Sequence, residues 1–417
     1  SVGYKVPRHC PAVSHLAFAD DIIIFANGAV GSLRKVMKTL DWYQSDSGQL
    51  VNVQKSGYLV HPRIIVGRRR VIERVTHFQR REFPVRYLGA PLFTGRAKEA
   101  YYSDLCQTVL NKVLSWKSRL LSFGGKLIFI RHVLSSIPIH LLAVGVIPKG
   151  VFRTIERVCA DFLWRAGDEQ KKFHLIRWRD LCYPTDEGGA GFRSLGDMYK
   201  TFSCKLWWNF RCGLSLWARF LNATYCKGSH PCQLSVPILG SATWKRMLDI
   251  RGLAELFIGW SLHKGHCSFW YDNWTRHGAL YLRIGVREDV LILSVMKDMD
   301  WVPSKLAEVL PSELVQQELL VAGPDGASHD RMLWQASSSG HFSISSAYRE
   351  IREVKHLSYL FHQIWHLSIP VKVSFFMLRL LSNCLPLDDV LTERGFQLPS
   401  NAPVVSFRVV NPFITYS

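Results

Sequence analysis

The chain has 417 residues, 48% of them hydrophobic and 20% charged, a length suited to two or three domains and a composition that excludes disorder throughout. Lys and Arg number 52 against 33 Asp and Glu, a formal charge of +19, which suits a polyanionic partner because each phosphate neutralised by a basic side chain releases condensed counterions. On charge alone, a basic protein that is merely kept dispersed, or that meets acidic membranes or partners, stays an open alternative.

Ten cysteines are scattered without a regular frame and none forms a Cys-x-x-Cys pair. No signal peptide pattern opens the chain. Reduced thiols in the nucleus or cytoplasm, not a secreted protein, are therefore expected. The longest apolar run, Ile137 to Pro148, is broken by Pro138 and His140 and is too short to span a bilayer, so no membrane is expected as a partner. The chain starts at Ser1 and enters a strand-like pattern almost at once, which reads as a piece cut from something longer.

His15 to Asn27 reads HLAFADDIIIFAN, the pattern of two short strands joined by a tight turn, with Asp20 and Asp21 at or beside it. Two adjacent carboxylates among Leu16, Phe18, Ile22, Ile23, Ile24 and Phe25 are expensive to bury unpaired. A divalent cation removes that cost, and Mg²⁺ takes one or two carboxylates together with substrate phosphates. A merely solvated Asp-Asp turn is the alternative. Ser32 to Asp46 has helical spacing at Leu33, Val36, Met37 and Leu40. Ser47 to Ser56 holds Gly48, Asn52 and Lys55. Gly67 to Arg81 concentrates Arg68, Arg69, Arg70, Arg74, Arg80 and Arg81, which suits a phosphate backbone or a solvated loop face. In Val85 to Leu92, Gly89 lets backbones approach closely.

From Ala97 the pattern turns helical. Tyr101 to Phe123 is amphipathic, Gly124-Gly125 interrupts, and Lys126 to Ser136 resumes. Pro138 and Pro148 bound the next piece, and Val151 to Trp164 is another helix, together a small bundle. Glu187 to Phe192 lacks a Gly-x-Gly-x-x-Gly frame and reads as a turn. Thr243 to Trp274 is aromatic-rich, with strands expected around a short helix, and its tryptophans suit core packing better than base stacking. Glu308 to Gly326 is a candidate linker. Ser343 to Tyr348 leads into a helix, and Val371 to Leu381 forms a second.

Phe18-Ala19-Asp20-Asp21 between apolar strands, Ser47 to Ser56, and Tyr87-Leu88-Gly89-Ala90-Pro91-Leu92 follow in an order that resembles the reverse transcriptase of plant non-LTR (LINE-type) retrotransposons, where the second segment is a Gly turn and then a strand and the third is a hairpin. Trp116-Lys117, Leu121 to Lys126, Val133 to Pro138 and Phe162-Leu163-Trp164 continue the likeness, and Phe342 to Tyr348 with Ile364 to Arg379 resembles the reverse-transcriptase zinc-binding domain. The resemblance runs from about His15 to about Arg394. It implies an RNA-directed DNA polymerase whose partners are an RNA template and a DNA primer. Asp20 and Asp21 match the catalytic pair that binds Mg²⁺ (or Mn²⁺), and Lys55 a supporting lysine beside the leaving pyrophosphate. Tyr87, Leu88 and Gly89 match a primer grip. Arg68, Arg69, Arg70, Lys112, Lys117, Arg119, Lys126 and Arg131 are nucleic-acid candidates, each with a solvated surface as its alternative.

The implied fold is α+β, with partial palm β-hairpins followed by a helical thumb and a mixed, mainly helical carboxy-terminal region. The expected divisions are 1–96 (palm end), 97–215 (thumb), 216–326 (connector), 327–400 (zinc-binding-like) and 401–417 (divergent tail). The family's third metal-binding carboxylate and its fingers lie upstream of the acidic pair and do not fit within Ser1 to Ser14. The expectation is thus a remnant that binds template–primer but wants the missing amino-terminal fingers and palm segment to polymerise. Zinc is not expected: Arg394-Gly395 is present, but Asn401 to Ser417 holds no Cys and no His. Cys226 with Cys232, and His263 with His266 and Cys267, read as packing residues. Two alternatives remain, a non-enzymatic basic nucleic-acid-binding protein and a decayed element product without selected function.

Overall fold

In a computed structural model, the described residues are 9–115, 120–164, 174–237, 240–275, 277–284, 290–297, 300–311, 315, 328–385 and 387. A hairpin comes first. Its strands β1 (His15–Phe18) and β2 (Asp21–Ile24) pair antiparallel, His15 opposite Ile24 and Phe18 opposite Asp21. Helix α1 (Val30–Ser47) ends at Gly48, whose φ of 70° lets its N–H reach the Gln44 carbonyl.

The stretch after α1 departs from expectation. Val53 to Lys55 forms a turn, and the strand β3 is only Gly57–Tyr58. Asn52 causes this: its Oδ1 accepts the Lys55 N–H at 3.0 Å and its carbonyl accepts the Ser56 N–H at 2.9 Å, local bonds that compete with a strand ladder. The arginine-rich stretch is a helix, not a loop face. This helix, α2 (Val66–Thr76), buries Ile72 and Thr76 and packs on α1. Strand β4 (Gln79–Arg80) runs parallel to β3. A second hairpin, β5 (Val85–Tyr87) with β6 (Ala90–Leu92), sets Tyr87 opposite Ala90. Its two central residues, Leu88 and Gly89, both have positive φ, 50° and 77°, as a two-residue hairpin turn matched to strand twist requires.

Helix α3 (Ser103–Leu114) buries Leu105, Val109 and Val113. The expected break at Gly124-Gly125 falls earlier, because Ser122 caps α4 (Phe123–Phe129) by accepting the Gly125 N–H at 3.2 Å. Both glycines therefore lie in that helix's first turn. A wider turn, Ile130–Leu134, continues it. Then come α5 (Ile139–Val144), α6 (Lys149–Trp164) and α7 (Leu195–Cys212). The aromatic-rich region holds a full helix, α8 (Ala242–Glu255), in place of a short one, capped by Ser241. Strand β7 (Ile258–Ser261) pairs antiparallel with β8 (Arg331–Trp334). The last elements are α9 (Ile344–Ile351), α10 (Tyr359–Ile364) and α11 (Val371–Leu381). The fold is α+β, and its described strands form two-stranded sheets.

Two compact units result, each assembled from three stretches. One comprises Ser1–Tyr102, His140–Pro148 and Asp197–Arg352. Its core gathers Trp207, Trp244, Trp270, Trp274 and Trp334, all at most 1% exposed, so these indole rings are packed, as their apolar area favours. Cys226, Cys232 and Cys267 lie in the same core. All ten cysteines are free thiols.

The other unit comprises Ser103–Ile139, Lys149–Gly196 and Glu353–Ser417. Here α3 packs on α6, and Phe375 of α11 meets Phe123 and Trp164 edge-on at 4.6 and 5.4 Å between ring centroids. The 188–191 turn has Gly188 and Gly191 at positive φ, while at Gly189 an added Cβ would lie 1.9 Å from the Tyr183 carbonyl oxygen. Gly189→Ala is accordingly expected to destabilise this unit by about 1–3 kcal/mol. Urea denaturation checks it, and an unchanged midpoint would mean that the turn relaxes without cost.

No helix among the described residues is long and apolar enough to cross a membrane.

Candidate functional site

The tip of the first hairpin places Asp20 in the turn and Asp21 at the first position of β2, and both are exposed. Among the described residues neither carboxylate has a hydrogen-bond or ion-pair partner. The sequence suggested acids held in apolar surroundings, yet here the surroundings are themselves in water. Leu16 is 43% exposed, Phe18 63%, Ile22 46% and Ile24 39%. Register puts Phe18 beside Asp21 on one face and Ala17 beside Ile22 on the other, so apolar side chains are bare on both faces. The desolvation cost that would call for a cation is absent in this state. The donor chemistry still suits Mg²⁺, which takes one or two carboxylates plus phosphate oxygens. No cluster of three His, Cys, Asp or Glu forms among the described residues, so the acidic pair fits one side of such a site and supplies no third ligand.

Lys55, in its turn, is exposed and is not brought into contact with either acid. Tyr87, Leu88 and Gly89 form the tip of the second hairpin, where Arg86 Nη1 donates to the Gly89 carbonyl at 3.2 Å. His140 Nε2 lies 2.8 Å from the Leu88 carbonyl, a contact that motif reading missed because the two residues are far apart in sequence.

Arg68 and Arg70 are exposed on α2, while Arg69 folds back to donate to the Ile64 carbonyl from Nε and Nη2 at 3.4 and 3.3 Å. The first turn of α2 contains no acid. Cations thus add to the positive end of the helix dipole, which favours an anion there. In the other unit, Lys112 is exposed in the last turn of α3. Lys126 Nζ lies 5.5 Å from the centre of the Phe162 ring. Arg131 Nη2 donates to the Ala190 carbonyl at 2.5 Å, and burial lowers its guanidinium pKa. This arginine is engaged in holding the glycine turn. Lys117 and Arg119 lie outside the described residues.

The strongest electrostatic feature had no sequence signal. Arg211 Nε donates to Glu255 at 2.9 Å and its Nη2 to Asp272, with side-chain exposures of only 6–7%. Trp207 Nε1 donates to Glu255 at 2.7 Å, and His230 Nε2 lies 3.3 Å from Asp272. A cleft of about 460 Å³ opens beside this cluster, lined in part by Trp260, His266 and Asp330. Both Asp330 oxygens accept backbone N–H groups of residues 263–266 at 2.6–3.0 Å. Burial raises its carboxyl pKa, but these bonds outweigh burial and hold it below the usual value.

Residues 342–406 match the family described as zinc-binding in reverse transcriptase. This relates the carboxy-terminal segment to reverse-transcriptase proteins of the retrotransposon type. A protein of Arabidopsis thaliana, provisionally named a ribonuclease H protein, is 27% identical over 304 residues, covering 69% of this chain and 49% of the relative. The chain therefore spans about half the length of the curated relative it matches. Within the matched segment, Ser343 caps α9 by accepting the Ser346 N–H at 3.0 Å, and α11 occupies the span expected of it. Arg394-Gly395 and the tail without Cys or His lie outside the described residues.

Proposed function

We propose that this chain is the carboxy-terminal part of an RNA-directed DNA polymerase, the reverse transcriptase of a plant-type non-LTR retrotransposon, and that it holds an RNA template and DNA primer without polymerising by itself. The observation that carries this reading is the first hairpin, with two carboxylates at its tip that have no partner among the described residues and bare apolar side chains on both faces. A two-stranded ribbon is marginal alone and gains stability from further strands or a covering layer. A fingers-and-palm segment would cover it and supply the third carboxylate.

In that assembly Asp20 and Asp21 would hold Mg²⁺ or Mn²⁺, which when bound stabilises the attacking and leaving oxygens of phosphoryl transfer. Lys55 would neutralise the departing pyrophosphate. The Tyr87–Gly89 turn would lie against the primer strand, with Arg68 and Arg70 on phosphates. Lys112, Lys117, Arg119, Lys126 and Arg131 are proposed for the thumb side, and zinc is not part of the proposal. The setting would be the nucleus or cytoplasm. A second reading, a non-enzymatic basic nucleic-acid-binding protein, is favoured by the arginines at the start of α2.

Primer extension on an RNA template with Mg²⁺ or Mn²⁺ tests the first reading, beside the Asp20→Ala, Asp21→Ala double variant. The expected result is no extension by either protein, with primer–template bound and the affinity falling linearly in logarithm with salt. Extension that disappears in the double variant would show a working acidic pair and overturn the proposal that the chain does not polymerise by itself. Absence of binding at moderate salt would favour a decayed product instead.

A further inference from the structure

The tip of the second hairpin is strained and is held from outside. Leu88 takes φ 50°, a left-handed backbone that residues with a Cβ seldom adopt. Its carbonyl lies 2.8 Å from His140 Nε2. A carbonyl only accepts, so Nε2 carries the hydrogen and donates.

His140 sits on α5, and α5 is in turn anchored on its other side. The Arg246 guanidinium of α8, 5% exposed, donates to the Leu142 and Gly145 carbonyls at 2.8 and 2.5 Å. The same group donates to the Tyr199 carbonyl and Ser203 Oγ of α7 at 3.1 and 2.8 Å. Tyr102 adds a hydroxyl bond to the Val146 carbonyl at 2.9 Å. The segment from His140 to Val146 is thus a strut, fixed to the aromatic core at one end and touching the turn at the other.

We propose that His140 is a positioning residue, whose bond to the Leu88 carbonyl holds the Tyr87-Leu88-Gly89 turn in the orientation that meets the primer strand. This rests on the reading of that turn as a primer contact. His140 is exposed, so its bond adds little to the core. Its effect is local order at a turn whose backbone is otherwise costly to hold.

Hydrogen exchange and binding on the full chain test it, using His140→Phe, which keeps a ring but has no donor, and His140→Gln, which restores one. Amide exchange across residues 85–92 is expected to quicken about fivefold in His140→Phe, the loss of one net hydrogen bond, with exchange in α3 and α6 unchanged. Affinity for a fluorescein-labelled DNA primer annealed to an RNA template is expected to fall by a similar factor, and His140→Gln should recover both. Unchanged exchange at 85–92 overturns the proposal. So does quickened exchange with unchanged affinity, provided Tyr87→Ala weakens binding. Tyr87→Ala judges the underlying reading separately: if it leaves affinity intact, the turn is no primer contact, whatever exchange reports.

Discussion

Replacing Arg211 by methionine is expected to destabilise its unit by about 3–5 kcal/mol at neutral pH, because it leaves Glu255 and Asp272 buried without their shared cation. The arrangement works as a whole: Trp207, His230 and the Ser268 backbone N–H add further donors around the two carboxylates. Burial on its own would raise the Asp272 carboxyl, but the Arg211 charge and the His230 hydrogen bond prevail and hold it at about 2. A folded-state pKa below the unfolded one contributes stability that is complete above the unfolded value. For Asp272 that contribution, about 2 kcal/mol, is lost as pH falls from about 4 toward 2. In Arg211→Met the sign reverses. Burial without the cation raises the Asp272 carboxyl, so the folded variant binds a proton there more readily than its unfolded chain and gains stability on acidification. Urea denaturation followed by tryptophan fluorescence at pH 7, 5 and 3 reads this directly. The gap between parent and variant should narrow steadily with acid, and a gap below about 1 kcal/mol at pH 7 would mean that the ion cluster is dispensable.

Phe375→Ala should cost the other unit about 3–5 kcal/mol through lost burial and the cavity left behind. Phe375 is 3% exposed and stands among Phe123, Trp164 and Trp365. Phe375→Leu, which keeps most of the volume, should recover the greater part. Hydrogen exchange shows where the loss falls. If α4 and α6 exchange faster along with α11, the segment matched to the zinc-binding family is part of the same core as those helices. Exchange that quickens in α11 alone would show that it only leans on them.

Much of this architecture was legible because helical spacing is a local signal. The apolar stripes of α1, α6 and α11 lie at 3.6-residue intervals, and the helix begun near Ser343 was expected with them. The first hairpin was readable from the apolar runs flanking Asp20-Asp21, whereas the second came only from the likeness of Tyr87 to Leu92 to a family motif. What failed depended on single side-chain bonds or on distance. Asn52 folds Lys55 into a turn, and Ser122 starts α4 ahead of two glycines that looked like a break between helices. In α2 six charged or glycine positions obscured the sparse stripe of Ile72 and Thr76. Glu255 and Asp272 are separated from Arg211 by 44 and 61 residues, and nothing local marks such partners. The acidic pair was recognised by type and place, whereas the bareness of its flanks is a property of what fails to pack there.

The interleaved construction has a consequence during synthesis. Phe123 and Trp164 leave the ribosome long before Phe375 does, so the helices that carry them are born without the ring that seals them. At roughly 5–20 residues per second, that interval is on the order of tens of seconds. Through that time α4 and α6 lack the ring that later covers Phe123 and Trp164, and an uncovered aromatic seam of this kind is open to wrong pairings until residue 375 is made.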